Sequence, residues 1–366
     1  MITELHIKNF KFHRDLNLMM KPITIMTGMN GMGKSSVIQS MLLLRQSGRD
    51  LVNGLNLKGD LCDVGTFGEV YRQDAEGNNI EFSVQLNAGE RLNFQFTTEN
   101  ELDTFIRNAK GNNIQYIPEN ESLFNDNFQY ISAFRFGPQK NYARDTSIVG
   151  QHHQVSKEKG QCEYAVHYLY EYAKEPILPQ LRYKGTPEIQ LEDQMEYWMS
   201  AIASKIRVNV EIQGTDLALS YGYRGKTKEA KVSAVNTGFG ITYVLPILVS
   251  ILAAKPGHLI IIENPEAHIH PKGQAVLMQL IAQAVSCGIQ IVIETHSDHI
   301  INGLMVAIHN KIVKSEDVAL YYIQSNEDEH ASELCPIYVE EDGRISGAPE
   351  GFFDQIDIDL QTIVGF

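Results

Sequence analysis

Residues 28–35 carry glycine, lysine and serine at a spacing that can bind phosphate. This GMNGMGKS segment lies between apolar residues 23–26 and a helical apolar pattern that starts at Lys34, the strand, loop and helix order that phosphate binding needs. Backbone N–H groups of the loop surround phosphate oxygens, the lysine neutralises them, and the serine hydroxyl ligates Mg²⁺. We therefore predict that the chain binds ATP with Mg²⁺; a glycine-rich turn without a ligand is the alternative. The predicted nucleotide-binding residues of the loop are Gly28, Asn30, Gly31, Gly33, Lys34, Ser35 and Ser36.

Two carboxylates follow the apolar residues 259–262, and they are three positions apart. A carboxylate at the end of a buried strand can hold Mg²⁺ through water, and a second one can polarise an attacking water. We predict Glu263 and Ser35 as metal ligands, and Glu266 as the general base beside a catalytic Lys34. In a strand-end pair of this kind that holds Mg²⁺, the first acid is usually aspartate. The side chain of Glu263 is longer than that of aspartate by one carbon–carbon bond, about 1.5 Å. The alternative is that the two acids only mark a loop.

A histidine ends the next predicted strand. His296 follows the apolar residues 289–293, and its imidazole is a hydrogen-bonding group at the end of that strand. A histidine that merely ends a strand is the alternative. Four histidines and an aspartate also stand close together in this region, and such side chains are ordinary metal ligands. Because His-x-His would alternate faces on an extended chain and no cysteine partner is present, zinc is not predicted. These residues are His268, His270, His296, Asp298 and His299.

The apolar patterns predict an α/β fold. Short alternating stretches at residues 55–136 are typical of antiparallel strands, whereas residues 161–207 show helical spacing. The final third alternates all-apolar strands with helices, which favours parallel strands covered on both faces. We predict one head over residues 1–366. Its parts are an N-terminal lobe with the phosphate loop and a β subdomain (1–160), a mainly helical insertion (161–232) and a C-terminal lobe (233–366).

Net charge is unevenly distributed. The chain has 366 residues and a formal charge of −14, of which residues 316–359 supply −12. Within the nearly neutral remainder, a short basic run beside Tyr221 and Tyr223 is compatible with contact to a nucleic-acid backbone, although a solvated strand pair or loop is the favoured interpretation. The basic residues of this run are Arg224, Lys226, Lys228 and Lys231.

The cysteines and the apolar segments exclude several classes of protein. Four scattered cysteines without a C-x-x-C pair favour reduced thiols over disulfides or structural zinc. The longest apolar stretch, residues 241–254, is interrupted by Pro246 and is shorter than the roughly 20 residues of a membrane span. The N-terminus lacks the pattern of a signal peptide. We therefore expect a cytoplasmic protein with no membrane partner.

The order of these motifs resembles that of the SMC/RecF-like, ABC-type AAA ATPases of bacterial anti-phage defence operons. The resemblance rests on an I-x-I-K-N-F strand, the phosphate loop (Walker A), E-N-P-E-A-H-x-H-P (Walker B) and E-T-H-S, over about residues 1–45 and 233–305. The related proteins are overcoming-lysogenisation-defect and Septu-type ATPases. The resemblance implies a P-loop NTPase fold of the ABC/SMC head type, with an antiparallel β subdomain and a helical insertion. By the same resemblance, His296 would be the catalytic switch histidine, which hydrogen-bonds the γ-phosphate or the attacking water.

The resemblance also implies a segment that completes the site of a facing subunit. The matching residues of this signature-like segment are Asn236, Thr237 and Gly238, which a helix start would follow. They depart from the usual S-G-G-[QE] pattern, and a glycine turn before a buried helix is the alternative. No long heptad pattern is present, so no coiled coil is expected. Asp357 and Asp359 spell D-x-D, but too little chain surrounds them for a fused nuclease domain.

Three functional classes stay open. The first is an ATPase that forms a homodimer, or a higher oligomer, through its ATP sites and controls a separately encoded nuclease or toxin in anti-phage defence. The second is a RecF-like repair factor, for which DNA would be the partner. The third is a scaffold that binds ATP without hydrolysing it. An ABC transporter subunit is disfavoured because the transporter signature is missing.

Overall fold

The computed structural model describes residues 1–87, 89–112, 114, 116–203, 206–223, 230–326, 331–349 and 351–365. The helices are α1 Lys34–Ser47, α2 Phe67–Val70, α3 Ala165–Glu171, α4 Leu191–Ala203, α5 Phe239–Leu252, α6 Pro271–Ser286, α7 Asp298–His309 and α8 Gln355–Val364. The strands are β1 Ile2–Phe10, β2 His13–Met19, β3 Ile23–Gly28, β4 Gly54–Asn56, β5 Ile80–Leu86, β6 Arg91–Thr97, β7 Phe105–Asn108, β8 Phe128–Ile131, β9 Ile206–Gln213, β10 Asp216–Tyr223, β11 Ala230–Ser233, β12 Leu259–Glu263, β13 Gln290–Glu294, β14 Val318–Asn326, β15 Ala331–Val339 and β16 Ile345–Ser346.

A mixed central sheet has the order β16-β15-β14-β3-β13-β12-β8, and the five strands from β14 to β8 are parallel. Residues of its strands are buried on both faces. Ile25 and Ile293 pack with the helices α5 to α7, whereas Met26 and Val292 pack with α1 and the N-terminal sheet. This two-sided burial explains why the strands are almost wholly apolar.

The carboxyl ends of the parallel strands carry the polar residues of the phosphate-binding region. Strand β13 lies between β3 and β12, so the end of β13 is the nearest neighbour of the phosphate loop on that side of the sheet. Glu263 and Glu294 are paired in the β12–β13 register and end their strands side by side. Ligands of open α/β sheets bind at this edge.

A second sheet of six antiparallel strands has the order β2-β1-β5-β6-β7-β4. Its inward side chains form one core with α1, and they include Ile7, Phe82 and Phe94. The β1–β2 hairpin turns at residues 11–12. This turn lies close to the start of α1, since the His13 ring contacts the carbonyl of Gly33.

The insertion at residues 161–232 contains both helices and strands. The helices α3 and α4 correspond to the predicted helical spacing, and Trp198 of α4 is fully buried. The strands β9 and β10 follow α4 and form a three-stranded antiparallel sheet with β11. Their turn uses Gly214 at φ +64°, a conformation that glycine adopts without steric cost. Helix α4 ends at Ala203 and β9 begins at Ile206, so the strand starts within the residues 161–207 whose spacing was predicted to be helical.

Among the described residues, no helix combines the length and apolarity that crossing a membrane requires. The apolar helix α5 has 14 residues and is buried between the insertion and the central sheet.

Candidate nucleotide-binding site

The phosphate loop joins β3 to α1, and two of its glycines are required by close contacts. A Cβ on Gly28, which has φ +135°, would lie 2.1 Å from the carbonyl oxygen of Ile323 in β14. A Cβ on Gly33, at φ +94°, would lie 2.7 Å from Ser332 Oγ and 2.8 Å from a ring carbon of His13. The backbone conformation and the packing therefore both exclude larger residues at these positions.

Lys34 lies inside the curve of the loop. Its Nζ donates hydrogen bonds to the carbonyl oxygens of Gly28, at 2.9 Å, and Met29, at 2.6 Å. Burial lowers the pKa of the Lys34 ammonium, and the nearby Glu294 opposes this effect. The cation is thus placed where a phosphate would meet it. Asn30 and Gly31 are exposed at the tip of the loop, and Ser36 is buried on the inner side of α1, next to the exposed Ser35.

Glu294 is the acidic residue that contacts Ser35, although sequence reasoning did not single it out. Ser35 Oγ donates a hydrogen bond of 3.0 Å to Glu294 Oε1, and Glu294 Oε2 is buried without a hydrogen-bond partner among the described residues. The available signal was an apolar strand that ends in a carboxylate directly before Thr295-His296.

Glu263 points to the same face of the sheet but has other partners. Its Oε1 accepts a hydrogen bond from Tyr130 Oη and its Oε2 accepts one from the backbone N–H of Ala133, both at 3.0 Å. Among the described residues, no hydrogen bond links Glu263 to Ser35. The predicted metal ligands Ser35 and Glu263 therefore lie in one region, with Glu294 between them in the strand order.

The pKa values of both neighbouring acids are raised. Burial raises the pKa of Glu294 to about 7, and the negative charge of Glu263 adds to this rise, whereas the bond from Ser35 and the charge of Lys34 oppose it. Burial also raises the pKa of Glu263, against the hydrogen bonds from Ala133 and Tyr130. A cation between the acids would offset their repulsion.

The chemistry of these groups fits Mg²⁺. Hydroxyl and carboxylate oxygens are the ligands that Mg²⁺ prefers, and Glu294 Oε2 is a buried carboxylate oxygen without a hydrogen-bond partner in the described part of the chain. No group of three His, Cys, Asp or Glu side chains among the described residues is arranged to hold a metal alone. Magnesium in this region would therefore also need phosphate oxygens and water, as is usual for this ion.

Glu266 and His296 form one unit at the end of β13. Glu266 Oε1 accepts a hydrogen bond from the backbone N–H of His296, and Oε2 accepts one from Thr295 Oγ1, both at 2.8 Å. Burial and the nearby Lys34 lower the pKa of the His296 imidazole, and the Gly28 carbonyl lies within its reach. The structure thus brings His296 and Glu266 to the edge of the phosphate loop, and the lowered pKa favours the neutral imidazole.

Arg135 holds the backbone behind this site and was also missed by sequence reasoning. Only 1% of its surface is exposed, and its guanidinium donates to four carbonyl oxygens at 2.9–3.1 Å. These carbonyls belong to Ser132, Tyr243, Glu263 and Asn264, so Arg135 connects the turn after β8, the helix α5 and the end of β12. A single arginine after an apolar strand gave no signal for this role.

The signature-like segment lies apart from the phosphate loop of the same chain. Asn236, Thr237 and Gly238 directly precede α5, and Gly238 has open space around its Cα. Thr237 Oγ1 donates to the carbonyl of Ser233, and no hydrogen bond among the described residues connects residues 236–238 with residues 28–36. The next residue, Phe239, is 59% exposed. This end of α5 therefore faces solvent.

The histidines after Glu266 have structural contacts. The His268 ring lies against Tyr243 and Phe239, and His270 Nδ1 accepts the N–H of Lys272 as the N-cap of α6. In the basic run, Arg224, Lys226 and Lys228 lie outside the described residues, and Lys231 forms an ion pair with Glu211.

Comparison with known proteins gives a family for most of the chain. Residues 23–302 match the family described as "AAA domain, putative AbiEii toxin, Type IV TA system", and residues 313–363 match "Protein of unknown function (DUF3696)". None of the curated proteins compared with the chain matches it.

The chain is similar to solved structures of SMC heads. An SMC head bound to the C-winged helix domain of ScpA shares 10% identity, with a TM-score of 0.56 and coverage of 93% of this chain and 99% of that chain. An SMC head from Thermotoga maritima has a TM-score of 0.47 at 9% identity, covering 92% and 99% of the two chains. An SMC head with an extended coiled coil, bound to the C-terminal domain of ScpA derived from Pyrococcus furiosus, has a TM-score of 0.48 at 12% identity, with 99% coverage of each chain.

The similarity to the ScpA-bound SMC head confirms the predicted fold class, an α/β P-loop NTPase fold of the SMC head type with an antiparallel sheet. The match to an AAA-domain family supports nucleotide binding by this chain. Because the family match spans residues 23–302, the chain belongs to this AAA-domain family.

Proposed function

We propose that this chain is an ATPase that dimerises on ATP and controls a separately encoded effector, such as a nuclease or toxin, in anti-phage defence. The observation that carries the proposal is a complete phosphate loop with catalytic groups gathered at its mouth. These groups come from three separate places in the sequence, and they lie where the strands β3, β12 and β13 end: Lys34 with Ser35, Glu266, and His296.

Each group has a role in the transfer of the γ-phosphoryl group to water. Lys34 and the loop N–H groups hold the phosphates, and a bound Mg²⁺ supplies neutralisation of their charge. Glu266 accepts the proton of the attacking water, and the neutral His296 orients this water or the γ-phosphate. A carboxylate has about four acceptor positions, so Glu266 can hold Thr295 and His296 and still accept from water.

Dimerisation is proposed through the signature-like segment. Thr237 and Gly238 stand at the exposed start of the 14-residue helix α5, whose N–H groups can reach a γ-phosphate of a facing copy. The apolar side chains of Phe134 and Phe239 are 81% and 59% exposed, which supports a contact surface on this side of the molecule. Arg135 connects helix α5 to the end of β12. A second copy that binds at the start of α5 would therefore shift the backbone of Glu263 through Arg135.

A non-hydrolysing, ATP-stabilised scaffold is the second candidate. It is favoured by one observation, namely that both carboxylate oxygens of Glu266 already accept hydrogen bonds within the chain. In this alternative Glu266 only holds the His296 loop in place. The two candidates agree on ATP binding and differ in turnover.

Two variants test the proposal. Lys34→Ala should abolish ATP binding in calorimetry, whereas the exposed Lys58→Ala should not change it. Glu266→Gln should keep ATP binding, lower single-turnover hydrolysis by at least about a hundredfold and increase the ATP-dependent dimer in light scattering. ATP affinity that survives Lys34→Ala contradicts the nucleotide site itself. A wild-type chain that binds ATP and dimerises without turnover supports the scaffold instead.

A further inference from the structure

We infer that Glu294 is the principal carboxylate ligand of the Mg²⁺ that accompanies ATP, ahead of the Walker B residue Glu263. This inference rests on the proposed ATP–Mg²⁺ site and adds a residue that the motif pattern does not assign. It concerns which of two neighbouring acids faces the metal.

Strand order places Glu294 closer to the phosphates. Strand β13 pairs directly with β3, whose end becomes the phosphate loop, whereas β12 is one strand farther away. Neighbouring strands are about 4.8 Å apart, so a side chain on β12 must reach past β13 to meet Ser35. Glu294 already touches the metal-ligating hydroxyl, because Ser35 Oγ donates to its Oε1 at 3.0 Å.

The hydrogen bonds distinguish the two acids further. Both oxygens of Glu263 are held, one by the hydroxyl of Tyr130 and one by the N–H of Ala133. Glu294 is only 6% exposed, and its Oε2 has no hydrogen-bond partner among the described residues. A buried carboxylate oxygen without a partner is costly, and a cation is the partner that best offsets the cost when a second acid lies beside it.

The arrangement also explains how Ser35 serves the metal. A serine hydroxyl can donate its proton and offer a lone pair at the same time. With its proton directed to Glu294 Oε1, Ser35 Oγ has its lone pairs free, and Glu294 Oε2 adds a second, negatively charged oxygen. Glu263 then contributes charge from a greater distance.

The test compares metal affinity in three variants of the full chain. Free Mn²⁺ would be measured by electron paramagnetic resonance in the presence of the non-hydrolysable analogue AMP-PNP, and AMP-PNP affinity would be measured separately in EDTA. Glu294→Gln should weaken Mn²⁺ binding at least about tenfold and more than Glu263→Gln does, while metal-free AMP-PNP affinity is retained or improved. Glu333→Gln, on β15 of the same sheet and hydrogen-bonded to Gln324, should change neither value.

Three results would overturn the inference. They are unchanged Mn²⁺ affinity in Glu294→Gln, a larger loss in Glu263→Gln, and an equal loss of AMP-PNP affinity with and without metal, since the last would mean that Glu294 only positions Ser35. Thermal unfolding of each variant checks its fold. If Glu294→Gln fails to fold, Glu294→Asp is measured in its place. If the wild type binds no AMP-PNP at all, the proposed function fails. If the wild type binds AMP-PNP and Glu294→Gln leaves the Mn²⁺ affinity unchanged, the inference alone fails.

Discussion

His13 is a residue whose role follows from its contacts under the phosphate loop. It is fully buried, its Nε2–H donates to the carbonyl of Gly33 at 3.0 Å, and its Nδ1 has no hydrogen-bond partner among the described residues. Burial lowers the pKa of His13 to about 4, and the nearby Arg72 contributes in the same direction. A proton on Nδ1 would be buried without an acceptor, so the folded chain keeps this ring neutral.

This predicts a loss of stability in mild acid. The unfolded chain takes up a proton at His13 below pH 6.5, while the folded chain does so only near pH 4. The free energy of unfolding is therefore not lowered by His13 above pH 6.5. It is lowered by roughly 3 kcal/mol as the pH falls to about 4. Urea unfolding from pH 4.5 to 7.5 should show a shallower pH dependence for His13→Gln than for the wild type. Identical slopes for the two proteins would contradict the assignment.

At the scale of elements, Arg135 decides how the end of β12 meets α5. The guanidinium satisfies four backbone carbonyls and lies 5.2 Å from the centre of the Tyr243 ring. Gly240 lets α5 approach the loop after β12, since a Cβ there would lie 2.0 Å from the carbonyl of His268. The acidic loop and the helix that carries the signature-like segment are thus fixed together.

Arg135→Met should lower the free energy of unfolding by about 3 to 5 kcal/mol, because several buried carbonyls lose their donor. Arg135→Lys should lower the free energy of unfolding by less, since one ammonium can reach some of the same carbonyl oxygens. Arg49→Met is the matched control: Arg49 is 84% exposed in its ion pair with Glu119, so no measurable change in the free energy of unfolding is expected. Chemical denaturation measures all three, and an Arg135→Met effect as small as the control would refute the role.

At the scale of the whole molecule, the predicted lobes share one central sheet. Strand β3 comes from the N-terminal part, yet its two neighbours, β13 and β14, come from the C-terminal part. The acidic C-terminal region contributes β14 and β15 to this sheet, and its Ile323 and Ser332 lie against Gly28 and Gly33 of the phosphate loop. Helix α8 differs, because its described side chains from Ile358 onwards are exposed.

Removal of α8 should leave the head intact. A chain that ends at Asp354 keeps Phe352, which packs against Tyr322, and Phe353, which packs against Phe352. Its thermal midpoint should stay within about 2 °C of the wild-type value, since little buried surface is lost. A chain that ends at Pro349 lacks both phenylalanines and should unfold at a lower temperature. Equal midpoints for the two truncations, or a large drop for the first, would contradict this view of the C-terminal region.

The sequence by itself determined the features that depend on local spacing. The phosphate loop, the strands β12 and β13 and the helices around them follow from residue types within a few positions of each other, and the predicted strand over residues 259–263 matches β12. The strand β9 was not predicted within the insertion, because its alternation directly follows a helical pattern. The roles of Glu263, Glu266 and His296 remain predictions.

Only the tertiary structure decided which polar groups meet. The contact of Ser35 with Glu294 spans 259 positions and depends on β13 lying between β3 and β12, an order that local patterns do not encode. The same holds for Arg135, whose four acceptors are backbone carbonyls and therefore leave no residue-type signal. Residue types specify which chemistry is available, whereas the strand order specifies which groups share a site.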